Sequence, residues 1–328
     1  MKNFKLSIII PTWNRKEKLI KLIEKIISKI VKIDIKYEII VCDSFSTDGS
    51  QNHIKKRFGK NKKIIYLNVK ENIISLKRNR GLKISKYQNI LFLDDDCLPI
   101  ENFFKYIKNY LENSKYNQIF CGQYSTQKKL ISKSNYHKFR DSKNLKTNEE
   151  KKINYKNIIT GCCFFNKKKI TKKLYFNEDI YGYGLEDIEW AFRLNKSKFD
   201  IILTKAKVDH QETSQNIGAY LIKWYTLSKD SMPSLPKKYR NSMKSRIFDF
   251  ERLFDKKLIK LFFKILNLLI IKLLSIILKK YLMISDKFSF FYSYYLFEFL
   301  ICLYYLRGAI DRDKFITKDD SWYETGYK

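Results

Sequence analysis

The first hundred residues alternate short apolar runs with longer segments of helical period, and this alternation restricts the fold more than any other feature of the chain. The apolar runs occupy residues 6–10, 37–42, 64–69 and 90–93. Between the first two, apolar residues recur every three or four positions: Leu19, Leu22, Ile23, Ile26, Ile27 and Ile30. The pattern predicts an α/β fold with a parallel sheet, helices on its faces, and a ligand crevice at the carboxyl ends of the strands.

Length and charge narrow the class of protein. A chain of 328 residues predicts a catalytic domain with an appendage. Its 66 basic and 34 acidic residues give a formal net charge of +32, which favours anionic partners such as nucleotides, nucleic acid or acidic lipid headgroups. Because the lysines are spread along the whole chain, the net charge does not indicate a nucleic-acid-binding site.

Cysteine usage and the N-terminus bear on the compartment. Six cysteines occur without a CxxC pair: Cys42, Cys97, Cys121, Cys162, Cys163 and Cys302. Several lie in apolar runs, which predicts buried free thiols in a reducing environment. The chain enters an apolar strand directly after Lys5, without the stages of a signal peptide. We therefore expect a cytoplasmic protein.

Composition also divides the chain. Residues 127–156 are rich in Lys, Ser, Asn and Glu and predict a surface loop or mobile flap, and strand character resumes over residues 158–165. Pro233 and Pro236 mark a boundary. We expect a catalytic domain over residues 1–230, with a nucleotide-binding half (1–100) and an acceptor half (101–230), and a helical region over residues 231–328.

An acidic triplet, Asp94-Asp95-Asp96, follows the fourth apolar run. Clustered carboxylates repel one another, so a cation is expected to resolve them, and a divalent ion with phosphate oxygens is the usual solution. Strand alternation would place Asp94 and Asp96 on one side and Asp95 on the other. Alone, the triplet also fits a solvated turn or a helix N-cap.

A second acidic segment follows a glycine-rich turn at Gly182 and Gly184. Glu186 and Asp187 would occupy the first turn of a helix, where the helix dipole favours negative charge. The segment is either an ordinary acidic helix start or a source of a general base, with Asp187 as the candidate.

In this order, these segments resemble the signatures of family 2 glycosyltransferases with the GT-A fold. The resemblance rests on residues 7–15 (SIIIPTWNR), 38–50 (EIIVCDSFSTDGS), 77–81 (KRNRG), the acidic triplet and the Glu186-Asp187 turn, and it covers roughly residues 5 to 215. The last turn is similar to that of chondroitin-polymerase-like and galactosyltransferase-like members.

The resemblance implies a nucleotide-sugar donor, with a UDP-sugar expected, and roles for the residues that would hold it. Thr12 and Trp13 would line the base pocket, and Asp43 would read the uracil edge. Arg78 would contact the diphosphate or ribose, and Asp95 would also bind the donor. Many relatives carry two adjacent acidic residues where this chain has Asp43-Ser44.

The resemblance also implies a metal site and a catalytic base. Asp96 would bind a divalent cation, Mn²⁺ or Mg²⁺, directly, with Asp94 bridging to ribose or metal and His210 as a further ligand. Asp187 would be the base of an inverting transfer, with Glu186 orienting the acceptor. Leu185 departs from the usual Gly-Gly-Glu-Asp turn.

The C-terminal part carries two apolar segments. Residues 258–278 include Lys260, Lys264 and Lys272, which makes a poor transmembrane span and suits a helix lying in the interface of an anionic membrane. Residues 288–306 are aromatic, with Glu298. The aromatic segment could embed more deeply or form the partner helix of a soluble hairpin. Both segments could instead be core helices of a small bundle.

The sequence thus predicts a metal-dependent glycosyltransferase of surface polysaccharide synthesis, peripheral at the inner face of the cell membrane, with a glycan or lipid-linked acceptor. A nucleotidyltransferase would need a glycine-rich basic loop after the first strand, which residues 11–15 do not supply. A nucleic-acid-binding protein is disfavoured by the clustered carboxylates, and no nucleic-acid partner is expected.

Overall fold

The computed structural model describes residues 4–180, 182–211, 216–235, 237–243 and 256–313. Their contacts divide the chain into two compact units. Unit 1 comprises residues 1–126, 144–178 and 186–211, and unit 2 comprises residues 127–143, 179–185 and 212–328. The predicted division at residue 230 stays a prediction, because unit 2 also takes in two earlier stretches of chain.

Unit 1 is built on a mixed sheet. The described part of the chain forms nine strands: β1 Lys5–Thr12, β2 Lys36–Asp43, β3 Ile64–Asn68, β4 Asn89–Leu93, β5 Cys97–Pro99, β6 Gln118–Ser125, β7 Lys151–Lys152, β8 Cys162–Asn166 and β9 Asp200–His210. Their order is β3-β2-β1-β4-β8-β6-β9-β5, with β7 beside β9. The first four are parallel, which confirms the predicted strands.

Helices cover both faces of this sheet. The helices of unit 1 are α1 Lys16–Ile30, α2 Ser50–Phe58, α3 Ile74–Ile84, α4 Phe103–Glu112 and α7 Glu186–Lys196. Helices α5 and α6 belong to unit 2. One core joins α1 and α4 to the sheet, and a second core joins α3 and α7 to the opposite face. The predicted helix within residues 19–30 is confirmed, and of its predicted apolar positions all are buried except Ile27, which is half-buried.

The segment 127–156, predicted as a loop, is partly helical. It contains α5 Lys128–Lys133, α6 Asn135–Ser142 and strand β7. The Ser134 side chain accepts a hydrogen bond from the His137 backbone N–H at the start of α6, and Tyr136 and Phe139 are buried. The loop prediction was wrong there because abundant polar residues hide the few apolar positions. The strand predicted over 158–165 begins only at Cys162.

Unit 2 is helical around its own core. After α5 and α6 it contains α8 Ile217–Thr226, a π-helical turn Leu227–Ser231, α9 Met232–Ser234, α10 Lys237–Ser242, α11 Lys257–Leu266, a π-helical turn Asn267–Ile271, α12 Lys272–Ile284 and α13 Tyr294–Ile310. Phe139 and Phe297 stack with ring centroids 4.7 Å apart. Among the described residues, no helix combines the length and apolar character needed to cross a bilayer. Cys302 is exposed on α13, so the prediction of buried thiols fails there and is confirmed for the other five.

Candidate active site

The carboxyl ends of the parallel strands gather polar side chains. Strand β1 ends at Thr12 beside Asp43, the last residue of β2. Strand β4 ends at Leu93, and the acidic triplet follows it. Thr12, Asp43 and the acidic triplet therefore lie at the edge of the sheet where the ligand crevice is predicted.

Asp95 is held inside this edge by two partners. The Thr12 hydroxyl donates to Asp95 Oδ2 at 2.7 Å, and Arg15 Nη1 donates to Asp95 Oδ1 at 2.5 Å. The same Arg15 nitrogen donates to Asp96 Oδ2 at 3.1 Å. Burial raises the pKa of Asp95, whereas Arg15 acts to lower it. Asp95 therefore connects the end of β1 to the acidic triplet.

The predicted alternation of the triplet is wrong. Asp95 and Asp96 share Arg15, whereas Asp94 accepts a hydrogen bond from Arg78. The reason is that β4 ends at Leu93 and the chain turns over Asp95 and Asp96, so strand alternation no longer applies. The triplet thus serves two sets of contacts, divided between Asp94 and the following pair.

Arg78 is a fully buried cation between two carboxylates. Its Nη2 donates to Asp94 Oδ1 at 3.1 Å, and its Nη1 donates to Glu186 Oε1 at 3.2 Å. The guanidinium also lies 5.4 Å from the ring centroid of Phe176. Burial alone would lower the pKa of Arg78, but Asp94 and Glu186 raise it above its usual value. The guanidinium therefore stays charged and ties helix α7 to the end of β4.

Glu186 and Asp187 begin helix α7, as predicted. Burial, followed by the neighbouring Asp187, raises the pKa of Glu186 to about 7, and Arg78 opposes this rise. Burial also raises the pKa of Asp187. Glu186 Oε2 is buried without a hydrogen-bond partner among the described residues. Glu186 can therefore exchange a proton near neutral pH, and its neighbour Asp187 holds its proton to a higher pH than an ordinary Asp does.

The turn before α7 needs three residues with positive φ. Gly182 and Gly184 have φ angles of 90° and 74°, and Leu185 has a φ of 75°. A left-handed conformation is costly for a branched side chain. Leu185 therefore adopts a backbone conformation that favours glycine, and its side chain is buried.

Asp96, Cys97 and His210 form a group that could hold a metal ion. One potential ligand atom from each lies within 4.8 Å of the others. Asp96 Oδ1 lies 3.6 Å from His210 Nε2, and the Cys97 thiol donates to the same oxygen at 3.7 Å. Strand pairing sets this geometry, because Cys97 on β5 is opposite His210 on β9. A carboxylate oxygen and an imidazole nitrogen suit a divalent cation whose other positions are filled by phosphate oxygens and water.

Tyr124 lies beneath this group and was not selected from the sequence. Its ring stacks on His210 with centroids 4.4 Å apart and planes at 13°. Gly161 is close to both Tyr124 and Asp94: a Cβ there would be 2.3 Å from Tyr124 Oη and 2.5 Å from Asp94 Oδ2. The absence of a side chain at Gly161 therefore lets Tyr124 and Asp94 approach each other.

Lys77 and Arg15 are further residues without a predicted role, although both lie in the motifs quoted for the family. The buried Lys77 Nζ donates to the Thr12 carbonyl at 2.8 Å and to Asn72 Oδ1 at 2.5 Å. Burial lowers the pKa of Lys77 to about 7. The sequence signal available for both residues was a basic side chain within a quoted family motif.

The remaining predicted donor residues have these surroundings. Asp43 is buried, and it accepts hydrogen bonds from the Ser46 backbone N–H at 2.8 Å and from the Ser46 hydroxyl. Trp13 is half-buried next to Thr12. Their contacts with a base stay predictions, as does the metal role of Asp94, which lies outside the Asp96, Cys97 and His210 group.

Comparison with known proteins identifies curated relatives. The chain is 33% identical over 129 residues to poly(ribitol-phosphate) beta-N-acetylglucosaminyltransferase TarP of Staphylococcus aureus, covering 38% of each chain. It is 28% identical over 185 residues to the minor teichoic acid biosynthesis protein GgaB of Bacillus subtilis, covering 54% of this chain and 20% of that protein. It is 26% identical over 250 residues to chondroitin synthase of Pasteurella multocida, covering 64% of this chain and 25% of that protein.

Each of these matches spans less than two fifths of the relative's own length. About half of the chain matches a family as a whole: residues 7–174 match the model described as Glycosyl transferase family 2. This match includes β1 to β4, Arg78 and the acidic triplet, and the mixed α/β sheet is consistent with the expected GT-A fold. The chain therefore belongs to glycosyl transferase family 2.

Proposed function

We propose that this protein is an inverting, metal-dependent glycosyltransferase that moves a sugar from a UDP-sugar to a hydroxyl of a glycan or lipid-linked acceptor in surface polysaccharide synthesis. The observation that carries the proposal is the convergence of Asp94, Asp96, His210 and the Glu186-Asp187 pair at one edge of the sheet. Family membership supports transfer from a nucleotide sugar.

At the donor end, Thr12, Trp13 and Asp43 would form the base pocket, and Asp94 and Asp95 would complete the donor site. Asp96 and His210 would hold Mn²⁺ or Mg²⁺, with Asp94 close by. The imidazole ligand favours Mn²⁺ of the two. When bound, the cation would supply charge stabilisation for the diphosphate leaving group.

At the acceptor end, Asp187 would act as the base. It would remove the proton of the acceptor hydroxyl while that oxygen forms a bond to the anomeric carbon, and the bond from that carbon to the diphosphate oxygen would break on the opposite face. Asp187 is more exposed than Glu186, which favours it for direct contact with an acceptor. Glu186, fixed by Arg78, would orient the acceptor sugar.

Arg78 was predicted to contact the diphosphate or ribose. Its full burial between Asp94 and Glu186 supports a positioning role instead, in which one cation sets the distance between the donor and acceptor carboxylates. Family membership favours sugar transfer over the nucleotidyltransferase and nucleic-acid-binding alternatives.

The proposal includes a cytoplasmic enzyme in peripheral contact with the inner face of the cell membrane. A lipid-linked acceptor would require such contact, because its sugar lies at the membrane surface. The basic, apolar helices of unit 2 support this part of the proposal.

The test is incubation of the purified full-length protein with a panel of UDP-, GDP- and dTDP-sugars in the presence of Mn²⁺, Mg²⁺ or a chelator, with release of the nucleotide as the readout. We expect release from a UDP-sugar that depends on the metal. Absence of binding and release for every donor, with no effect of chelation, would refute the proposal.

Two variants separate the assigned roles. Asp96→Ala should lose metal-dependent donor binding. Asp187→Asn should bind donor with unchanged affinity and lose transfer to acceptor. An equal loss of donor affinity in both variants would refute the assignment of Asp187 as base.

A further inference from the structure

Unit 2 exposes a long apolar surface along α11 and α12, which we call the apolar stripe. On α11 it comprises residues spaced by three and four positions: Leu258, Leu261, Phe262 and Ile265. On α12 the same spacing continues through Leu273, Ile276, Ile277 and Ile284. Leu258 is 82% exposed, Phe262 62% and Leu273 60%. At about 1.5 Å per residue the stripe is about 40 Å long.

The opposite face of the same two helices is already packed. Ile271, Ser275 and Leu282 are buried, and Ser275 Oγ accepts a hydrogen bond from Arg307 of α13. Burial of this face gives the helices a fixed orientation within unit 2. The apolar stripe is therefore held outward by the packing of the inner face, and it far exceeds the scattered apolar residues of an ordinary surface.

Charge along the stripe has one sign. Residues 256–285 contain seven lysines and no acidic residue. Lys256, Lys257, Lys264, Lys272 and Lys280 are exposed. An apolar face flanked by lysines is complementary to a surface that is apolar inside and anionic outside. A bilayer containing anionic lipid has both properties.

Aromatic residues extend this surface beyond α12. Phe288, Phe290 and Phe291 follow the helix, and Tyr295 lies in the first turn of α13. Phe290 is 91% exposed. Aromatic rings are favoured at the level of lipid headgroups. These aromatic residues follow the last residue of the apolar stripe in the sequence, and they would add contacts with lipid headgroups.

A second copy of the chain is a poorer occupant. Pairing of two copies through the same face would bring two sets of lysines together, and residues 256–285 offer no carboxylate to neutralise them. An anionic bilayer supplies the missing negative charge.

We propose that the apolar stripe is a shallow docking surface for an anionic lipid bilayer, with α11 and α12 lying parallel to the membrane. The inference specifies the surface and the lipid chemistry of the membrane contact that is part of the proposed function. The apolar side chains would enter the headgroup region, and the lysines would contact lipid phosphates.

The test is co-sedimentation of the full-length protein with vesicles of phosphatidylcholine alone and with vesicles made of equal parts phosphatidylcholine and phosphatidylglycerol. We expect at least about tenfold tighter binding to the anionic vesicles, weakened by salt. The variant Phe262→Ser/Leu273→Ser should lose about tenfold or more of this binding. The control Val31→Ser, at a 72% exposed apolar residue of unit 1, should bind as the unchanged protein does.

A second variant tests the charge separately. Lys264→Gln/Lys272→Gln should weaken binding to anionic vesicles by about fivefold per lysine and leave the weak binding to neutral vesicles unchanged. Circular dichroism and donor binding should be retained in both double variants, because these residues are exposed and outside unit 1.

Three results would overturn the inference. The first is no binding of the unchanged protein to anionic vesicles, and the second is binding by both double variants that equals that of the unchanged protein. The third is a dimer in lipid-free solution that Phe262→Ser/Leu273→Ser dissociates. Failure of the proposed chemistry is a separate outcome. A protein that binds vesicles through the stripe and releases no nucleotide from any donor would keep the docking surface and refute the glycosyltransferase proposal.

Discussion

Asp94 and Glu186 accept hydrogen bonds from the two terminal nitrogens of one guanidinium, that of Arg78, although they are far apart in the sequence. Asp94 follows strand β4, and Glu186 begins helix α7. Because Arg78 is fully buried, these contacts are not exchanged for water. The spacing between Asp94 and Glu186 therefore depends on one side chain.

Replacement of Arg78 should destabilise the fold strongly. In Arg78→Met the buried Glu186 and the half-buried Asp94 lose their common cation, so the free energy of unfolding should fall by about 3 kcal/mol. The matched control is Arg80→Met, two residues later on the same helix and exposed, which should change it by less than about 0.5 kcal/mol. Urea unfolding followed by circular dichroism measures both. Similar small effects in the two variants would contradict the role given to Arg78.

The raised pKa of Glu186 predicts a pH-dependent stability. Its folded-state pKa of about 7 lies above the ordinary value of 4.5, so the protonated form is favoured by folding. The contribution of this group is fully present below pH 4.5 and is lost as the pH rises through about 7. Glu186→Gln cannot lose a proton, so its unfolding free energy should fall less than that of the unchanged protein across this window.

Unfolding curves at several pH values test this expectation, with Glu17→Gln, at an exposed residue of α1, as the control. Parallel pH profiles for Glu186→Gln and the unchanged protein would show that Glu186 does not titrate in this window. Burial raises the pKa of Asp187, the proposed base, so nucleotide-sugar transfer should rise as the pH increases above the ordinary range of an Asp carboxyl, since a general base acts when deprotonated.

The sequence predicted the strands and missed the turn that shapes the site. Apolar runs are sufficient to predict β1 to β4. Strands β1, β2 and β4 are buried and need uninterrupted apolar residues, and β3, although half-buried, carries a similar run. The roles of Asp95 and Asp96 depend on where β4 ends and on Arg15, which approaches from the end of another strand. Hydrophobic pattern contains no information on such a contact between distant side chains.

Residues that support the site were harder to predict than those that line it. Tyr124 stacks on His210 only because β6 and β9 are neighbours in the sheet. Similarly, α6 was missed because its two buried aromatic residues, Tyr136 and Phe139, are scattered among polar ones. Pairing order and tertiary burial determine both features, and neither leaves a local pattern.

Asp95 should stabilise the fold through its contacts with Arg15 and Thr12. Asp95→Asn removes the charge that pairs with Arg15, and we expect a loss of about 3 kcal/mol in the free energy of unfolding. Asp34→Asn, at an exposed residue, is the control and should be nearly neutral. Combination with Thr12→Val should show a coupling of about 0.5 to 3 kcal/mol, because Thr12 donates to the same carboxylate. Strict additivity would contradict a direct contact.

His210 should contribute to metal binding through its position beside Asp96. His210→Ala should weaken Mn²⁺ binding in the presence of UDP by about tenfold or more, measured from the electron paramagnetic resonance signal of free Mn²⁺. His53→Ala, at an exposed residue of α2, is the control. If His210→Ala and His53→Ala bind Mn²⁺ with equal affinity, His210 is not a metal ligand and is removed from the proposed site.

Gly161 should tolerate no side chain. An alanine Cβ would lie 2.3 Å from Tyr124 Oη and 2.5 Å from Asp94 Oδ2, so both groups would have to move. Gly161→Ala should lower the free energy of unfolding by about 1 to 3 kcal/mol. It should also reduce donor binding, because the displaced Asp94 would lose its position on Arg78. The control is Gly49→Asn, where φ is 80° and a Cβ would meet no atom within 4 Å. Asn adopts this conformation more readily than most residues, so Gly49→Asn should keep donor binding. If Gly161→Ala binds donor as well as Gly49→Asn does, the close approach of Tyr124 and Asp94 is not required for the site.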